Sequence, residues 1–202
     1  MTGVPTDDDA EILRLMREAI ENSRDYASYW EWKLDKRQAE LHAAQVLSRF
    51  LFPGRDYSVS NVINDPPDAL VQIGSSRFGI EVTEIVDRKA VERAANRKKR
   101  GLPIEYDWAD WNADRLLKSL SDGIAAKDQK LSKASHDYDE LLLAFVTDET
   151  MIHPELVGSV VGSVHANPKF IDKAFVILSY HPAVDPSVFP DRCEIFEIAF
   201  AG

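Results

Sequence analysis

Between Tyr57 and Ile85 the chain carries three short runs of alternating apolar and polar residues, and this stretch constrains the fold more than any other. Tyr57–Ile63 (YSVSNVI), Asp68–Ile73 (DALVQI) and Arg77–Ile85 (RFGIEVTEI) each read as half-buried strands. Only a Gly-Ser-Ser stretch separates the second run from the third, which is a hairpin signal. An early meander of this kind implies antiparallel pairing in at least part of a sheet.

Around it the pattern alternates helices and strands. Residues 11–52 are helical in period, with Leu13, Met16 and Ile20 and then Tyr26, Tyr29 and Trp30 at helical spacing, and Pro53-Gly54 ends them. A helix is expected over Asn112–Ala134, a strand over Leu141–Thr147 and a helix over Pro154–Ala166. Strands follow at Ala174–Ser179 and Glu194–Phe200, around a loop rich in proline. Residues 88–112 read as a charged and aromatic insertion broken at Gly101-Leu102-Pro103, with no element assigned. The expected class is α/β, a central mixed β-sheet flanked by helices. With 202 residues, 45% apolar and 29% charged, the chain suits one soluble domain over residues 11–202 behind a flexible acidic lead-in, residues 1–10. No apolar run approaches the roughly 20 residues that span a bilayer, which excludes a membrane protein. The N-terminal residues have no secretory pattern, and a lone Cys193 forms no internal disulfide, so a cytoplasmic setting is expected.

The hairpin brings two acids together. If Gly74-Ser75 makes a two-residue turn, Ile73 pairs with Ser76 and Asp68 falls opposite Glu81, with Cβ atoms about 5 Å apart. A three-residue loop would instead place the acids on opposite faces. Opposed like charges destabilise a sheet unless something neutralises them, and a hard divalent cation such as Mg²⁺ takes one or two carboxylates plus waters and phosphate oxygens. The bland alternative is that Asp68 closes a loop and Glu81 is solvated on an amphipathic strand. Glu40 is a third acid of interest. It shares a helical stripe with Ala43, Ala44, Leu47 and Leu51, and it is either buried near such a site or paired at the stripe's edge with Lys36 or Arg37.

A helical Glu40, then Pro67-Asp68 opening a strand, then Glu81-Val82-Thr83 in the next strand, followed by a helix and a strand, resembles the PD-(D/E)xK nuclease superfamily over residues 36–147. The resemblance implies a restriction-endonuclease-like αβββαβ core, here with an added C-terminal αββ, forming a nuclease-like domain. It also implies that Asp68, Glu81 and the carbonyl of Val82 hold Mg²⁺ or Mn²⁺, with Glu40 assisting, for hydrolysis of phosphodiester bonds in DNA or RNA. Thr83 stands where that family carries its lysine. Lys127, Lys130 and Lys133 recur at three-residue spacing in the following helix, and Lys130, then Lys127, is the candidate replacement. A solvated helix face explains the same lysines.

Net charge is −10, yet residues 88–100 hold seven basic residues, Arg88, Lys89, Arg93, Arg97, Lys98, Lys99 and Arg100, against Glu92. That segment carries +6, so the remainder carries −16. Such a cluster can grip a phosphate backbone, and equally it can be a solvated helix or a contact to an acidic partner. The competing function is therefore a catalytically inactive α/β module that binds a protein or nucleic acid through this segment. Trp108 and Trp111, three apart, suit one helix face that could bury a homodimer contact. None of the five histidines shows metal-ligand spacing.

Overall fold

The computed structural model describes residues 36–63, 66–102, 110–134, 137–179 and 194–200. Trp30, Trp32, Trp108, His136, His181, Cys193, the lead-in and the N-terminal part of the first helical region lie outside these. The element order is α1 (Lys36–Leu51), β1 (Ser58–Asn61), β2 (Ala69–Ile73), β3 (Ser76–Glu84), α2 (Arg88–Lys99), α3 (Ala113–Leu131), β4 (Glu140–Thr147), α4 (Pro154–Val160), β5 (Lys173–Leu178) and β6 (Glu194–Ile198). A single 3-10 turn, Val161–Ser163, extends α4.

The six strands form one sheet in sequence order. β1, β2 and β3 are an antiparallel meander, β3, β4 and β5 run parallel, and β6 returns antiparallel. The expected α/β class with a mixed, helix-flanked sheet is what the chain forms. The parallel strands β4 and β5 are almost continuously apolar because both faces are covered.

One face carries α1. Its Ala39, Ala43, Ala44 and Leu47 pack on Ala69, Val71, Ile80 and Val82. The other face carries α3 and α4, with Leu116, Leu120 and Ile124 against Leu143, Phe145 and Val176. α3 comes down very close to the sheet at Gly123, where a Cβ would stand 2.6 Å from the Phe145 ring. Glycine there sets the height of the whole helix.

Three features differ from or sharpen the expectations. The 88–112 insertion contains a regular helix, α2, capped by Asp87, whose side chain accepts from the Ala90 N–H. Alanine is its only fully buried residue (Ala90), so no apolar stripe announces it. Trp111 is not on a helix face. It precedes the cap of α3, Asn112, and is buried with the Arg115 guanidinium 4.2 Å over its ring. The final helix is also shorter than expected and ends at Val160. No helix among the described residues is long and apolar enough to cross a membrane.

Candidate active site

The hairpin register is the one that a two-residue turn requires. Ile73 pairs with Ser76 and Ala69 with Ile80, so Asp68, one residue before β2, meets the strand at Glu81. Gly74 has φ +58°, which L-residues rarely adopt, so the turn residue fixes the pairing of everything behind it. Asp68 Oδ2 accepts the Val82 N–H at 2.7 Å, which locks the carboxylate against β3 just beyond the last ladder pair.

Glu81 faces α3. Its side chain has no solvent exposure, and two ammonium groups converge on one oxygen: Lys127 Nζ lies 2.6 Å and Lys130 Nζ 2.7 Å from Oε1. These residues follow Gly123 by four and seven positions, on the same helical stripe, so the close approach at Gly123 brings both lysines onto the strand. Lys130 also lies 3.8 Å from Asp68 Oδ1, and Lys127 donates a long 3.4 Å bond to the Val82 carbonyl. Both lysine candidates therefore reach the acids, and they do so together.

Glu40 is buried at 6% exposure on α1, beyond the opposite face of the sheet, and pairs with Lys36 at 3.1 Å. The hydrogen bond to Glu40 raises the Lys36 pKa above its usual value. Both readings of Glu40 thus hold in part: it is buried, and it has an edge partner. Its charge still acts on Asp68.

The electrostatics leave Asp68 short of positive charge. Burial pushes its carboxyl up to about 6, with the charges of Glu81 and Glu40 adding to the rise, while the Val82 N–H and Lys130 oppose it. Glu81 Oε2 is buried with no hydrogen-bond partner. An orphaned carboxylate oxygen beside a second carboxylate and a backbone carbonyl is a set of hard oxygen donors, and it fits Mg²⁺ or Mn²⁺ that keeps waters in its remaining positions. Among the described residues no three His, Cys, Asp or Glu side chains are grouped closely enough to hold a metal. The fit is therefore to two carboxylates, without Glu40 as a third ligand.

The basic segment is divided by its helix. Arg88 and Lys89 line a cleft that also includes Thr83 and Lys127, whereas Arg93, Arg97, Lys98, Lys99 and Arg100 do not line it. Two buried acids escaped the sequence reading: Asp148 and Glu149 directly follow β4, and Glu149 Oε1 accepts the Asp87 N–H at 2.7 Å. Their nearest sequence signal is a Thr-Asp-Glu string after an apolar strand, which reads equally well as a loop.

Comparison of the chain with protein-family models, with curated proteins and with solved structures gives no match.

Proposed function

We propose that the protein is a metal-dependent phosphodiester hydrolase of nucleic acid, with a restriction-endonuclease-like core and a lysine function moved from the Thr83 position to α3. The observation that carries this reading is the convergence of Lys127 and Lys130 on Glu81, beside Asp68. Asp68 and Glu81, with the Val82 carbonyl, would hold Mg²⁺ or Mn²⁺. Bound there, the ion supplies Lewis-acid polarisation of a phosphodiester and a water of lowered pKa.

The chain's own residues do the rest. The Val82 N–H holds Asp68 in one orientation, so its Oδ1 is the oxygen turned toward Lys130. Lys130 bridges the two acids and keeps a cation where negative charge builds on an attacked phosphate. Lys127, 23% exposed, links the buried acid to the open cleft beyond Thr83 and presents an ammonium to a substrate oxygen from that side. Lys36, paired to Glu40, adds positive potential at Asp68 from α1. The supporting setting is a cytoplasmic protein that meets DNA or RNA through a local basic surface, and cleavage of both strands would call for a homodimer.

A second reading has its own observation. Glu81 Oε1 already has two ammonium partners, so the cluster can be a self-neutralised ionic core in an inactive module that binds a partner through residues 88–100. Thermal unfolding with and without Mn²⁺ separates the two. Saturating metal at about 100 times Kd stabilises a hydrolase site by roughly 2.7 kcal/mol, and Asp68→Asn removes most of that. Metal-dependent cleavage of plasmid and single-stranded substrates should be lost with it. An unchanged melting temperature with metal refutes the hydrolase reading.

A further inference from the structure

A cleft of about 560 Å³ opens beside the carboxylate pair, between β3, the start of α2 and α3. Lys127 belongs to both places, because its ammonium bonds Glu81 while its side chain lines the cleft. Thr83, also in the lining, is two residues from Glu81 on the same strand face, so the cleft begins roughly 7 Å from the acid.

Its cations are not equally available. Arg115 is committed to Asp87 at 2.7 Å and to the Asp110 carbonyl at 2.9 Å. Burial would raise the Asp87 pKa, but the Arg115 contact and the Ala90 N–H hold it below its usual value, so this acid stays ionised and internally satisfied. Asp87 also caps the start of α2, its side chain accepting the Ala90 N–H. Lys118 pairs with the exposed Asp122, four residues on, a contact worth little and easily exchanged for a ligand. Arg88 and Lys89 are exposed at the mouth, and neither side chain is in an ion pair with a described residue.

We propose that this cleft is a subsite for one phosphate-bearing nucleotide unit of a single nucleic-acid strand, next to the phosphodiester at the carboxylates, gripped by Arg88 and Lys89 with Lys118. The proposal rests on the hydrolase reading of the carboxylate site. The volume lies within the roughly 300–1,000 Å³ of small-ligand sites, which accommodates a nucleotide unit and not a duplex. Recognition is by charge and tolerates any base, because Trp111 is 7% exposed beneath Arg115 and offers no stacking face.

The test is the salt dependence of binding of a short labelled single-stranded oligonucleotide to the whole protein, read by fluorescence anisotropy. Each phosphate neutralised contributes about 0.7 to the log–log salt slope for single strands, so Arg88→Ala with Lys89→Ala, which releases the one phosphate of the subsite, should lower it by about 0.7. Lys99→Ala with Arg100→Ala removes the same charge from the far end of α2 and should change the slope by less than half as much. Equal changes in the two double variants overturn the subsite, as does failure of the oligonucleotide to bind at low salt. The Mn²⁺-dependent thermal shift is measured on the same samples. If it persists while the two slopes are equal, the subsite alone is refuted. If the wild type shows no shift, the hydrolase reading falls and the subsite's place beside a scissile bond falls with it.

Discussion

Removing the two lysines from Glu81 should destabilise the protein more than additively. Lys→Met keeps most of the aliphatic stem and deletes the charge. In Lys127→Met, Glu81 Oε1 keeps Lys130 at 2.7 Å, and in Lys130→Met it keeps Lys127 at 2.6 Å. Each single variant therefore loses one charge-assisted hydrogen bond from a cation that is 23% or 34% exposed, a cost of about 1 kcal/mol after allowing for solvent. The double variant leaves a carboxylate with no solvent exposure and neither ammonium, and stranded buried charges cost about 3–5 kcal/mol. The expected coupling is thus about 1–3 kcal/mol. Urea unfolding in chelator at neutral pH measures it, provided the m-value stays constant across the cycle. Glu81→Gln in the double-lysine background should recover most of the loss, because it removes the stranded charge. Simple additivity, or no recovery with Glu81→Gln, would refute the shared-acid arrangement from which the site is built.

Three further outcomes are expected. Asp68 has its folded-state pKa raised from 3.8 to about 6, so its contribution is most favourable below pH 4 and is lost as pH rises through 6. At 1.36 kcal/mol per pH unit this is a loss of at most about 3 kcal/mol, and urea midpoints of chelated wild type and Asp68→Asn between pH 4 and 7.5 should show the variant gaining relative stability over that window. Asparagine can still accept the Val82 N–H, so parallel pH profiles would count against a strained Asp68. Gly123→Ala forces a Cβ toward the Phe145 ring and should cost about 1–3 kcal/mol in thermal or urea unfolding. The same substitution should tighten Mn²⁺ binding by lifting the competing ammonium groups of Lys127 and Lys130 from Glu81, and wild-type affinity there would break the link between helix height and site. Asp87→Ala removes the cap of α2 and the Arg115 pair together, and a loss of about 1–2 kcal/mol at pH 7 should shrink as pH falls and the wild-type carboxylate is protonated.

The pairing of Asp68 with Glu81 was legible because register in a tight hairpin is a local property, decided by Gly74-Ser75 and a period of two. The lysine stripe at 127 and 130 was legible for the same kind of reason, a helical period. That both amines reach one oxygen was not legible, since it depends on how closely α3 approaches β4, and Gly123 looked like an ordinary helical glycine. Helix α2 stayed open between helix and loop because it has almost no apolar face. Its readable signals were an Asp cap at 87 and three basic residues in the last turn, which suit the helix dipole. The two-tryptophan spacing misled for the opposite reason: a three-residue interval is helical only where the backbone is, and the helix begins after Trp111 at the Asn112 cap.

The central claim is that Asp68 and Glu81 form a cation site completed by substrate and water. Calorimetric titration of the chelator-treated protein with Mn²⁺ tests it most directly. The account expects saturable binding in wild type, lost in Asp68→Asn and in Glu81→Gln while both variants remain folded. Absence of binding in wild type, or binding that both variants retain, would contradict it.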